Sequence, residues 1–129
     1  MEIEVSENFQ LRAIYPNGAV IRTKRVHVDE LWKNNVYFDF ALLQLMNPAA
    51  RCQLQFGLTE SMLAVRVWEG GEWKHWSPTS YVAQAEAVMG RSASQDKEER
   101  RHELFHHLAN TGPEYYDVPI QVLDTRSPL

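Results

Sequence analysis

Five consecutive residues, His102-Glu103-Leu104-Phe105-His106, carry the densest chemistry in this sequence. Histidines four residues apart lie on one side of a helix, one turn above the other, where two imidazole nitrogens can reach the same divalent ion. A glutamate between them can take a proton from metal-bound water, the chemistry of zinc-assisted hydrolysis. His102 and His106 are therefore candidate zinc ligands, and Glu103 a candidate catalytic base. A catalytic zinc also needs a third protein ligand and an open coordination position. The chain after His106 offers Glu114, Asp117 and Asp124, and His27, His75 and His107 lie elsewhere, but no spacing singles one out.

Over these five residues the pattern resembles that of the zincin metallopeptidases, which implies a zinc-dependent peptidase with the roles just given. The surroundings differ from the family pattern. In those families the motif helix is buried among largely uncharged residues, whereas Glu98-Glu99-Arg100-Arg101 leads into it here. On a helical wheel both histidines also fall well away from the stripe of Leu104 and Leu108, as on a solvated face. The preferred expectation is thus a surface helix stabilised by pairs such as Asp96 with Arg100 and Glu98 with His102. The zinc enzyme is kept as the alternative.

A second cluster suits recognition rather than catalysis. Trp68, Trp73 and Trp76 flank the turn Glu69-Gly70-Gly71-Glu72, and Trp68 shares strand parity with Arg66, away from Leu63, Val65 and Val67. Tryptophan and arginine are enriched at the centres of protein interfaces. Arg66, Trp68, Trp73, Lys74 and Trp76 are therefore the expected partner-binding residues, against the simpler account that the rings pack over one end of a sheet. Arg12, Arg22, Lys24 and Arg25, with Tyr15, form a weaker candidate for nucleic acid, diluted by Glu2, Glu4 and Glu7. Cys52 alternates with Leu54 and Phe56, as expected of a small buried core residue, and no nucleophile elbow or glycine-rich phosphate loop occurs.

The elements that must position these groups follow from periodicity. Phe9 to Tyr15 and Val20 to Val28 read as a hairpin around Pro16-Asn17-Gly18-Ala19, with a bulge near Lys24-Arg25 to restore register. Asp29 to Lys33 reads as one helical turn capped by Asp29 and ended by Asn34-Asn35. Residues 36 to 50 suit a strand or a buried helix equally. Cys52 to Phe56, Leu63 to Val67 and Trp73 to Trp76 form a meander. A helix from Tyr81 to Met89 follows, capped by Thr79 or Ser80 and closed by Gly90, and a second runs from about Ser94 to Asn110. Val118 to Leu123 reads as an edge strand, because Pro119 suits an edge.

Strands first and helices afterwards predict an α+β fold: an antiparallel, meander-like sheet of about five strands with two C-terminal helices packed on one face. The expected organisation is one domain over 1–129, β-rich to 78, helical over 79–112 and extended over 113–129. A composition of 44% hydrophobic and 23% charged residues argues against disorder. The net charge of −4 lacks the basic excess of a dedicated nucleic-acid binder. A lone cysteine, an acidic N-terminus without the features of a secretory signal and the lack of a spanning apolar run predict a cytoplasmic protein without membrane association. The functional expectation is a small non-enzymatic interaction module, an inhibitor, adaptor or immunity-type partner of a larger enzyme or complex. A protein partner is expected, with homo-oligomerisation and nucleic-acid binding as lesser alternatives and no cofactor unless the zinc reading holds.

Overall fold

The computed structural model describes residues 9–14, 20–56 and 62–122, with side chains over 23–56 and 64–121. Hairpin strands β1 (Phe9–Ile14) and β2 (Val20–His27) pair antiparallel, as their alternation predicts. The residues of the intervening expected turn lie outside the described residues. The register slips in β1, between Leu11 and Ala13, and not at Lys24-Arg25. Strand β2 runs unbroken against its other neighbour, from Val20 opposite Val122 to His27 opposite Tyr115. Its apparent slip in pattern arises because Lys24 occupies a core-side position, where its ammonium lies 5.4 Å from the centre of the Tyr37 ring. A long aliphatic stem makes that position tolerable, since only the charged end must find water or a ring.

After β2 comes a four-residue helix, α1 (Val28–Leu31), capped by His27, whose Nδ1 accepts from the Asp29 N–H at 3.1 Å. Asn34 does not merely stop this turn. Its side-chain oxygen accepts from the N–H groups of Val36 and Tyr37 and starts helix α2 (Asn35–Met46). The ambiguous stretch is therefore helical. Buried Tyr37, Phe38, Phe40, Ala41, Leu42 and Leu43 surround its axis, so it has no polar side from which a helical period could be read. A helix that is apolar all round must be covered all round. Here α2 packs on β3 (Cys52–Phe56) and β4 (Met62–Glu69), while α3 (Tyr81–Met89) and α4 (Lys97–Thr111) pack on it and on each other. The expected arrangement of two C-terminal helices over a sheet is thereby modified, because α2 lies between.

Strand β5 (Glu72–Trp76) returns from β4 through Gly70 and Gly71, both at positive φ (59° and 82°), the backbone that a two-residue hairpin requires. Ser80 caps α3, accepting from Ala83 N–H, and left-handed Gly90 ends it. Asp96 rather than Ser94 caps α4, accepting from Glu99 N–H at 2.8 Å.

The final strand, β6 (Tyr115–Val122), corrects the sequence reading most. It lies inside the sheet, in the order β1-β2-β6-β3-β4-β5, antiparallel to β2 and parallel to β3, so the sheet is mixed. Tyr116, Val118 and Ile120 alternate into the core, which gives a central strand one fully covered face. Pro119 is accommodated because pairing with β3 begins only at Ile120, one residue beyond the nitrogen that has no hydrogen to donate.

The α4–β6 junction turns at Gly112. A methyl group there would stand 2.6 Å from Tyr116 Oη and 2.9 Å from the Leu108 carbonyl oxygen, and the second neighbour is backbone that cannot swing away. Gly112→Ala is expected to lower stability by about 1–3 kcal/mol, read from urea denaturation.

Candidate functional site

Both sequence candidates are described, on opposite sides of the molecule. Helix α4 carries the histidine pair. His102 and His106 are exposed, as the wheel predicts, and their Nε2 atoms lie 2.9 Å apart with ring centres separated by 4.5 Å. They are not simply solvated. Trp32, just after α1 and 38% exposed, stands edge-on to His102 at 5.1 Å and tilted to Phe105 at 5.3 Å. The groove between these elements has a volume of about 820 Å³ and is lined by Trp32, Met89, Arg101, His102, His106 and Asn110, among others.

The peptidase alternative finds little support in the same geometry. Glu103 turns toward the α3–α4 connection, where its Oε2 accepts from Ser94 N–H at 3.5 Å. Among the described residues no three His, Cys, Asp or Glu side chains converge as a metal-binding group. The expected pair of Asp96 with Arg100 is also replaced: Asp96 caps the helix, and Arg100 donates to the carbonyls of Ser94 and Gln95.

Below the groove sits a polar group that the sequence reading missed. Arg101 reaches inward from α4 with its guanidinium over the rings of Trp32 (4.6 Å) and Phe38 (4.7 Å), and donates to the Trp32 carbonyl at 3.3 Å. Its charge faces Asp39, the one acid of α2. Burial raises the Asp39 carboxyl to about 6, although the Arg101 charge and a hydrogen bond from Tyr81 both oppose the rise. Burial also raises the Tyr81 hydroxyl, and the Asp39 charge adds to it. The signal for this group was an isolated aspartate inside an otherwise apolar run. Asp39 Oδ1 and Arg101 Nη2 are buried without hydrogen-bond partners, so the group links the helices at some electrostatic cost.

The tryptophan hairpin occupies the sheet. Strand register divides the five expected partner-binding residues between two faces. Val65 opposes Trp76 and Val67 opposes Lys74, on the side that α2 covers; Arg66 opposes His75 and Trp68 opposes Trp73, on the other. Trp76 packs against the core, and exposed Lys74 pairs with Glu72 at 3.9 Å. Trp68 and Trp73 form a cross-strand, edge-to-face pair 5.4 Å apart, and Arg66 donates to the Trp73 carbonyl at 3.0 Å. Arg51, which the sequence reading did not single out, sets its guanidinium 5.3 Å from the Trp68 ring and 5.9 Å from Trp73. Its backbone explains the placement: the Arg51 carbonyl accepts from Trp68 N–H at 2.8 Å, extending the β3–β4 ladder by one residue.

The same face continues through buried Gln53 and Gln55, with Gln53 donating to Gln121 at 3.1 Å. Where β3 and β6 part, a recess of about 330 Å³ opens beside Trp73, lined by Arg51, Gln53, Asp117 and Pro119 and reaching through the split to Phe40 and Gln44 of α2. At the far side Arg25 lies 4.3 Å over the Tyr115 ring. The expected nucleic-acid face is split, since Arg22 and Lys24 take register positions opposite Ile120 and Val118, whereas Arg25 opposes Asp117. Tyr15 lies outside the described residues.

Cys52 is buried on the α2 side, with its Sγ accepting from Gln44 Nε2 at 2.8 Å; burial raises the thiol to about 11, outweighing that hydrogen bond. Such a thiol is a packing group, not a nucleophile.

The fold and these surfaces define an α+β protein with a mixed sheet, in which no helix among the described residues is long and apolar enough to cross a membrane. No protein-family model, curated protein or solved structure matches the chain.

Proposed function

We propose that this protein is a small non-enzymatic interaction module, an inhibitor, adaptor or immunity-type partner of a larger enzyme or complex, and that its partner sits on the sheet face turned away from α2. The observation that carries the reading is the Trp68–Trp73 pair held against Arg51 beside the recess at the β3–β6 split. Two rigid rings, already ordered by each other and by a guanidinium, lose little side-chain freedom on binding, so more of their buried area counts toward affinity. The adjacent recess offers space for a partner's side chain. Arg25, Arg51 and Arg66 lie on or beside this face with Asp117, so local positive charge stands out on a chain of net charge −4 and favours a partner with an acidic surface. Lys74 and Trp76 do not belong to this surface.

The test begins with in-cell cross-linking of the tagged chain in its source organism, followed by a binding titration with the purified partner. Replacing Trp68 and Trp73 together by alanine is expected to cost at least 2 kcal/mol, roughly thirtyfold in Kd, while circular dichroism and melting temperature show the fold retained. Undiminished affinity in that variant would place the interface elsewhere. Recovery of a second copy of this chain as the sole stoichiometric partner would replace the proposal by self-association, and recovery of nucleic acid would replace it by the basic-face alternative.

A further inference from the structure

The histidine pair on α4 has a use that needs neither a peptidase nor the sheet face. We propose that His102 and His106 form a two-ligand site for a divalent copper or nickel ion on the outer side of α4.

The argument is first one of distance. Imidazole nitrogens sit about 2.0–2.1 Å from a bound first-row metal. Two of them at a right angle about the ion are then about 2.9 Å apart, and at the tetrahedral angle about 3.3 Å. The Nε2 atoms of His102 and His106 are 2.9 Å apart. The pair thus has the spacing of adjacent corners of a tetragonal site, the geometry preferred by Cu(II) and Ni(II), and would have to open by several tenths of an ångström for tetrahedral zinc. In the metal-free pair one imidazole N–H donates to the other nitrogen along the line that joins them, and the ion would sit to one side of that line. Binding moves the donor ring to its other tautomer, the proton passing through solvent from Nε2 to Nδ1, so that both neutral rings present an Nε2 lone pair to the metal, with no net proton release and no change of oxidation state.

The second part of the argument is preorganisation. Each ring is supported from outside the pair: His102 by the edge-on Trp32 at 5.1 Å, and His106 by Phe105 at 5.8 Å. Trp32 is in turn fixed by the Arg101 guanidinium at 4.6 Å. Rings already ordered on one helix lose little further freedom when they chelate an ion. The carboxylates of Glu98 and Glu99 line the same groove and draw cations toward it, opposed by Arg91 and by Arg101, whose charge is partly taken up against two rings. No third protein ligand joins the pair among the described residues, so water or a donor from another molecule completes the coordination. Glu103, turned to Ser94, is not a ligand.

Titration of the full chain with copper(II) chloride in a non-coordinating buffer, followed by calorimetry and electron paramagnetic resonance, tests this. The expected result is one Cu(II) per chain with hyperfine splitting from two imidazole nitrogens. His102→Ala and His106→Ala should each weaken binding roughly a hundredfold, because each removes the intramolecular second attachment. Glu103→Gln and His75→Ala should leave it unchanged. Both ligands are exposed, and circular dichroism of the two alanine variants checks that α4 persists. A single-nitrogen spectrum, or copper binding that survives in the double alanine variant, would overturn the site. Zinc binding as tight as copper binding would overturn the right-angle geometry.

Discussion

Phe38→Ala is expected to lower stability by about 3–5 kcal/mol, the usual cost of deleting a buried aromatic ring. Phe38 is 0% exposed and lies in α2, the helix that touches the sheet on one side and α3 and α4 on the other. Its removal therefore opens a cavity where three layers meet, and none of them can close it without leaving another. It also removes one of the two rings that hold Arg101, which loosens Trp32 and the groove above. Against a total stability of about 5–15 kcal/mol for an ordinary domain, a loss of this size is a large fraction. Urea denaturation followed by far-ultraviolet circular dichroism should show a lower midpoint with little change in slope, and Phe38→Leu should recover most of the loss. A cost below about 1 kcal/mol for the alanine variant would mean that α2 is not the central layer.

The second large effect concerns pH. Asp39 holds its proton to about pH 6 in the folded protein, against an ordinary value of 3.8. Between these values the folded state binds more protons than the unfolded chain, so stability from this group is fully present below about pH 4 and is lost as pH rises through 6. Holding the proton to about pH 6 rather than 3.8 corresponds to about 2–3 kcal/mol. Asparagine imitates the protonated carboxyl in size and charge. Asp39→Asn and the wild type should therefore be similarly stable at pH 4, and the variant should gain by about 2–3 kcal/mol relative to the wild type by pH 7. Taking the difference between the two proteins at each pH cancels the other titrating groups. A difference that does not change between pH 4 and 7, or one that favours the wild type as pH rises, would show that attraction to the Arg101 charge outweighs burial.

How much of this was written in the sequence depends on the range of the interaction that decides each feature. Local geometry was legible. Gly70-Gly71 reads as a tight turn because its backbone suits glycine, Ser80 and Gly90 bracket α3 because they satisfy its end groups, and Cys52, Leu54 and Phe56 alternate inward because a strand has a period of two. The helical spacing of His102 and His106, and their distance from the Leu104 and Leu108 stripe, could likewise be read directly, and the structure leaves both exposed.

What depends on packing between distant segments could not be read. Residues 35–46 show no helical period because two layers cover them, and only the presence of both layers makes a helix apolar on every side stable. The last strand becomes central because Tyr116, Val118 and Ile120 complete the core between β2 and β3, a contact between the two ends of the chain that overrides the local preference of Pro119 for an edge. Register divides the tryptophans, sending Trp76 to the core and leaving Trp68 and Trp73 with Arg51 on the other face. The histidine pair owes its spacing to one helix, but its support from Trp32 comes from a turn about 70 residues earlier. Sequence by itself determined which groups could do chemistry and the local elements that carry them. Tertiary structure decided which groups meet, because burial is shared among segments and no single segment carries its own partner.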